Sequence, residues 1–129
     1  MDGGSVSKSY IILDIAGKFK IKCELKRHLS PSLVGVINRS LPITGTVHML
    51  GSSGIYVESH IESGGERTRK EFQKGDVAFL SVGRAFCFFY KSTKVGKDMI
   101  PIGKILDNPE ELLKSESGDD VSIYCDTGS

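Results

Sequence analysis

The sequence of 129 residues has no tryptophan, few aromatic residues (8%) and almost no net charge. A net charge of +1 creates no strong field, so we expect neither a nucleic acid nor a membrane as a partner. The longest apolar runs fall far short of the roughly 20 residues that span a bilayer as a helix. Glutamine occurs once and asparagine twice, and this scarcity of labile amides favours a thermophilic source.

The cysteine pattern argues against a disulfide framework. Cys23, Cys87 and Cys125 are odd in number, and each lies inside a strand-like run. Such positions suit buried, reduced thiols in a reducing compartment. The sequence therefore predicts a cytoplasmic protein.

The length and the apolar content of 39% suit one compact domain with its own core. We expect this domain to span residues 9–126. Residues 1–8 are rich in glycine and serine and are expected to form a frayed tail. They have no hydrophobic region preceded by basic residues, so they do not resemble a signal peptide.

Alternation of apolar and polar residues predicts a series of short strands. Residues 10–25 read as a β-hairpin, because isoleucines, leucines and a cysteine alternate with lysines and a glutamate. Further strands are predicted at residues 44–50, 55–61, 76–80, 85–90, 99–106 and 121–125. The polar residues 62–70 are predicted to be a loop or a frayed strand pair, and the basic residues 91–97 are predicted to be a loop.

Two short helices interrupt the strands. Ser30 followed by Pro31 predicts an N-cap and first turn of a helix over residues 31–39, which Pro42 prevents from continuing. Asn108 and Pro109 begin a second helix in the same way. This pattern predicts a mainly β domain, a closed barrel of about eight strands capped by two short helices, with a jelly-roll sandwich almost as compatible.

Residues 75–105 resemble the C-terminal half of a cyclophilin. GDVAFL stands in place of that family's GxLSMAN-type strand, AFCFF in place of its SQFFI-type strand, and IGKI in place of its FGKV strand end. The segment is still more similar to small, mostly uncharacterised archaeal and bacterial cyclophilin-like proteins, whose mark is a GDVAYWPPGxALCIFF-type segment followed by an IGKI strand. This resemblance implies an eight-stranded barrel with two helices and no particular activity.

The resemblance also implies that the isomerase machinery of active cyclophilins is missing. In that family an arginine of an FHR motif stabilises the twisted imide, and the alignment places Met49 there. The pocket phenylalanine, tryptophan and histidine fall on Cys87, Lys94 and Met99, while two glutamines fall on Glu58 and Ala85 and a further phenylalanine on Ile55. Because methionine has no cationic fork, electrostatic stabilisation of the transition state should be lost.

The leading hypothesis is therefore a binding module without the usual isomerase residues, whose partner is an extended peptide or a small apolar ligand. Alternation over residues 85–90 puts three side chains inside the barrel and three on its outer face. The candidate binding groove consists of His48, Met49, Ile55, Glu58, Arg84, Ala85, Cys87 and Met99. In this groove the apolar residues would contact the ligand and the polar ones would orient it.

Two other functions stay open as hypotheses. One is a slow peptidyl-prolyl isomerase that uses Arg84 or Arg67 as its cation. The other is a structural subunit that self-associates through an exposed edge strand. The oligomeric state itself is left open.

Residues 75–86 also resemble the second cupin motif, but Phe86 replaces its metal-binding histidine. The three histidines are scattered, so no metal and no cofactor are predicted. We expect Gly75 and Asp76 to form a turn that enters a strand, with Asp76 accepting from backbone amides.

Overall fold

The computed structural model describes residues 8–63 and 66–126, so residues 1–7 of the expected tail lie outside it, whereas Lys8 begins the first strand. The strands are β1 (Lys8–Ile15), β2 (Phe19–Lys26), β3 (Ile43–Thr46), β4 (His48–Leu50), β5 (Gly54–Glu58), β6 (Arg69–Phe72), β7 (Asp76–Leu80), β8 (Ala85–Phe89), β9 (Thr93–Ile105) and β10 (Asp120–Cys125). An α-helix, α1 (Pro31–Ser40), and a 3₁₀ helix, Pro109–Lys114, complete the elements. The prediction of a mainly β chain is confirmed.

The expected closed barrel of about eight strands is corrected by the strand order. The described residues form one antiparallel sheet of ten strands, in the order β3-β10-β1-β2-β9-β7-β8-β5-β4, with β6 paired to β9. Its terminal strands, β3 and β4, are not hydrogen-bonded to each other, so the ladder stays open. β3 and β4 nevertheless follow each other directly in the chain. A single strand was predicted at residues 44–50, and Val47 divides it into these two strands.

The gap between β3 and β5, where the sheet is not closed by hydrogen bonds, is narrow because Gly45 lines it. A Cβ built on Gly45 of β3 would lie 2.8 Å from Val57 Cγ1 and 3.1 Å from the Glu58 carbonyl oxygen of β5. Val47 meanwhile donates from its amide to the Asp119 carbonyl. The chain therefore crosses from one edge of the sheet to the other, so packing and chain continuity, and no hydrogen-bonded ladder, hold these edges together.

The sheet separates two apolar clusters by strand alternation. The interior cluster contains Phe86 and Phe88 of β8 together with inward residues of most other strands, and Tyr90 packs against it. The outer cluster contains Phe72, Ala78, Cys87, Phe89 and Met99. The predicted division of residues 85–90 between the inside and the outer face of the barrel is thus confirmed.

Both helices contribute to the interior cluster through Leu33, Ile37 and Leu112. Ser30 is the N-cap residue of α1, as predicted, but its side chain makes no capping hydrogen bond and instead donates to the Pro101 carbonyl at 2.9 Å. At the second helix the Asn108 side chain does accept from the Glu110 amide at 3.0 Å. No helix within residues 8–63 and 66–126 has the length and hydropathy that crossing a bilayer requires.

Strand β9 is much longer than predicted, and it absorbs most of the expected loop at residues 91–97. Its first half pairs with β6, which the sequence analysis assigned in part to a loop or a frayed strand pair. Its second half pairs with β7 and then with β2. Gly103 permits the last pairing, because a Cβ there would overlap the Glu24 carbonyl of β2.

Candidate functional site

The outer cluster opens into a hollow of about 400 Å³ between the sheet and the first half of β9. We call it the apolar hollow. Its apolar side chains are Leu50, Tyr56, Leu80, Cys87, Val95 and Met99. Lys94 and Lys97 also line it, and the remaining lining residues are Gly51, Ser53, Thr93 and Gly96.

Strand register explains why these side chains converge. Cys87 of β8 lies directly opposite Tyr56 of β5 on one side and Ala78 of β7 on the other. Directly opposed residues share a face of the sheet, so these three side chains lie on the outer face. Phe72 of β6 covers the neighbouring Phe89 by a parallel ring stack with 5.0 Å between centroids. The pair β6–β9 is thereby packed onto the sheet beside the hollow.

Cys87 cannot act as a nucleophile in this environment. Burial raises the pKa of its thiol to about 12. Its only hydrogen bond among the described residues is a weak one to the Ala85 carbonyl, with the sulfur 3.9 Å away. A protonated thiol among apolar side chains contributes polarizable surface to a ligand site and no covalent chemistry.

Met49 and Ile55 do not line the apolar hollow. They oppose each other across β4 and β5, and Ile55 belongs to the interior cluster. Met49 therefore lies on the inward face, at a position where 42% of it remains exposed. The outward residues of β4 are His48 and Leu50, so the residue aligned with the cyclophilin arginine faces away from the outer surface.

His48 and Glu58 lie together at a different hollow, one of about 890 Å³ along the gap between β3 and β5. We call it the seam hollow. The His48 ring stacks on Tyr56 with centroids 4.9 Å apart, and its Nε2 is 3.9 Å from Glu58 Oε1. These polar groups are close to each other, and neither of them lines the apolar hollow.

Arg84 and Ala85 occupy the corner between β7 and β8. Arg84 has a φ of 53°, in the left-handed region, and its guanidinium pairs with Glu62 at 3.1 Å. Ala85 is buried, opposite Leu80. Among the described residues no arginine lines the apolar hollow, whose cations are Lys94 and Lys97. Arg67, the other cation considered for isomerase chemistry, lies in a separate hollow with Pro31 and Glu66.

Of the predicted groove, the structure thus brings only Cys87 and Met99 together in the apolar hollow. Sequence reasoning missed Tyr56, Leu80, Val95 and Leu50. The first two could have been found by extending the outward face of β8 to its neighbours, once the pairing was known. Val95 was hidden because its segment reads as a basic loop.

The described residues contain no group of three or more His, Cys, Asp or Glu side chains that could hold a metal ion. The seam hollow comes nearest in composition, with two histidines and two glutamates around it. These do not converge on one point. Within the described residues, the candidate site can therefore hold a ligand through apolar contacts and charged side chains.

A family model described as cyclophilin-like matches residues 9–124, nearly the whole chain. The chain belongs to the cyclophilin-like family. This agrees with the resemblance carried by residues 75–105. A search of curated proteins found no match.

Two solved structures share the fold of this cyclophilin-like protein. The hypothetical protein AF2241 from Archaeoglobus fulgidus, solved in solution, has a TM-score of 0.70 and 23% identity over 92% of this chain and 95% of its own. McbB, solved in complex with tryptophan, has a TM-score of 0.74 and 14% identity. That match covers 92% of this chain and 45% of McbB. At these identities the likeness concerns the fold alone.

Proposed function

We propose that this cyclophilin-like protein is a binding module whose apolar hollow holds an apolar group of an extended peptide. The observation that carries the proposal is the open apolar hollow on the outer face, beside a strand that ends the sheet. A small apolar ligand of similar size is the alternative occupant. The volume of about 400 Å³ lies near the lower end of ligand pockets, which run from roughly 300 to 1,000 Å³.

The positions in the hollow support this reading. Cys87, Lys94 and Met99 are the residues that the sequence resemblance equates with the aromatic and histidine side chains of the cyclophilin proline pocket, and all three line the hollow. Here these aromatic and histidine side chains are replaced by the smaller Cys87 and the flexible Lys94 and Met99, which leave a concave surface. This replacement removes the groups that an isomerase needs, in keeping with a role in binding.

The edge of β4 favours an extended peptide over an isolated small molecule. β4 is the last strand in the order, so one of its edges has no strand partner within the described part of the chain. Leu50 of this strand lines the hollow. An extended peptide could hydrogen-bond to that edge while one of its side chains enters the hollow, as in strand-addition complexes.

The proposal is tested by titrating the proline-containing tetrapeptide Ala-Ala-Pro-Phe and following amide shifts by NMR. We expect shifts at Leu50, Tyr56 and Val95. Val95→Ser should weaken binding about fivefold, because it removes roughly 1 kcal/mol of apolar contact. Val82→Ser is the matched control, since Val82 is 79% exposed and lines neither the apolar nor the seam hollow. Shifts confined to other surfaces, or equal weakening by both variants, would contradict the proposal.

A protease-coupled proline isomerisation assay separates binding from catalysis. We expect the uncatalysed rate, since no guanidinium of the described residues reaches the hollow. Acceleration that disappears in Arg84→Ala or Arg67→Ala would favour the isomerase hypothesis instead. Self-association through an edge strand predicts a dimer or larger species in sedimentation, and a monomer would exclude it.

A cytoplasmic location stays a proposal that agrees with three free cysteines.

A further inference from the structure

A further hollow, of about 760 Å³, lies where β2, β6, β7 and β9 meet. We call it the basic hollow. Its cationic side chains are Lys26, Arg69, Lys70, Lys94 and Lys104. Two carboxylates, Glu71 and Asp76, also line it, so the lining carries an excess of three positive charges in a chain whose net charge is +1.

A buried carboxylate fixes two of these cations. The Asp76 side chain is 2% exposed, and its Oδ2 accepts from Arg69 Nη2 at 3.2 Å while its Oδ1 lies 2.5 Å from Lys104 Nζ. Oδ2 also accepts from the Gln73 amide at 2.8 Å, as expected for an aspartate in this turn. One negative charge thus holds two positive ones, which leaves a surplus of one positive charge in a fixed geometry.

Arg69 is held from a second side as well. Its guanidinium carbon lies 5.0 Å from the centroid of the Phe72 ring. A guanidinium has five N–H donors, and its bond to Asp76 uses one nitrogen, so donors remain to face the hollow. The side chain is therefore pre-organised for an oxyanion, which lowers the entropy cost of binding one.

The other cations are compensated unequally. Lys70 pairs with Asp98 at 3.3 Å, and Lys26 lies 4.0 Å from Glu24. Lys94 is exposed and forms no ion pair within residues 8–63 and 66–126, although it opposes Glu71 across β6 and β9. Counting all four carboxylates, the five cations leave a net charge of +1, which lies at Arg69 and Lys104 around Asp76.

We propose that the basic hollow binds a small polyanion that carries a diphosphate or triphosphate group. Several cations on separate strands suit an anion with several charged oxygens, and the arginine fork suits phosphate oxygens. The volume exceeds what a single phosphate needs. This site is separate from the apolar hollow, with which it shares only Lys94.

The test is calorimetric titration with inorganic tripolyphosphate at a NaCl concentration of about 50 mM, where charge contacts are weakly screened. We expect one saturable site with a dissociation constant below about 1 mM. Lys94→Gln should weaken binding about fivefold, and Glu71→Gln should strengthen it by a similar factor, because each changes one exposed charge in the hollow. Lys91→Gln is the matched control, since Lys91 is an exposed lysine just before β9 and lines neither hollow.

The outcomes separate the alternatives. No saturation below about 1 mM, or equal weakening by Lys94→Gln and Lys91→Gln, would overturn the proposal. Citrate binding as tightly as tripolyphosphate would overturn the assignment to phosphate. Tighter binding of ATP than of tripolyphosphate would support it and point to a nucleotide as the source of the phosphates. Failure of peptide binding at the apolar hollow would leave these expectations unchanged, since Glu71 lies outside that hollow.

Discussion

The ion-pair centre at Asp76 should contribute measurably to stability. Asp76→Asn preserves the size of the side chain and leaves one oxygen to accept from the Gln73 amide, but it removes the charge that holds Arg69 and Lys104. A hydrogen bond to a charged group contributes roughly 1.5 to 3 kcal/mol. The two cationic side chains are 46% and 44% exposed, so each pair is discounted to about 1 kcal/mol.

We therefore expect Asp76→Asn to lower the free energy of unfolding by about 2 kcal/mol and the melting temperature by roughly 8 °C. Urea denaturation followed by circular dichroism measures the first quantity. Glu110→Gln is the control, because Glu110 pairs with Lys74 at 2.8 Å on the open surface, and its removal should cause no resolvable loss. A change below about 0.5 kcal/mol in Asp76→Asn would refute the reasoning, since it would mean that desolvation of the carboxylate cancels both pairs.

Three further predictions concern other parts of the chain. Ala16→Gly should raise the free energy of unfolding by about 0.5 to 1 kcal/mol, because Ala16 has a φ of 54°, and destabilisation in urea would contradict this. Ser30→Ala should cost about 1 to 2 kcal/mol by leaving the buried Pro101 carbonyl without its donor, so an unchanged urea midpoint would count against that bond. At a pH of about 8 a thiol reagent should modify the exposed Cys125 but not Cys87, because burial raises the pKa of the Cys87 thiol to about 12. Rapid labelling at Cys87 in the native Cys125→Ala variant, located by mass spectrometry, would contradict this prediction.

Local patterns in the sequence were sufficient for most strands. The hairpin of residues 10–25, the strands at residues 76–80 and 85–90, and the last strand agree with the structure, because alternation directly reports which side chains are buried. The cap at Asn108 and the turn before Asp76 agree as well, since both depend on short-range hydrogen bonds.

The candidate site was harder to predict because it depends on register. Cys87 and Met99 were placed correctly on the outer face, since they lie in strands with clear alternation. Met49 and Ile55 are on the inward face, although alignment to a distant family put them in the groove. A shift of one residue moves every side chain of a strand to the other face, and the turn at residues 51–54 is one residue longer than the cyclophilin loop with which it was aligned, so the register of β4 was undetermined.

The sequence by itself determined the cyclophilin-like character of residues 75–105 and the inward and outward faces of β8. Only the tertiary structure decided that Val47 divides one strand between two partners, that β6 pairs with β9, and that five cations line one hollow beside a buried carboxylate. The physical reason is distance along the chain. The alternation of buried and exposed side chains can be read from a few neighbouring residues. Strand pairing and clusters of charged side chains join segments that are far apart in the chain, and no local pattern specifies which segments pair.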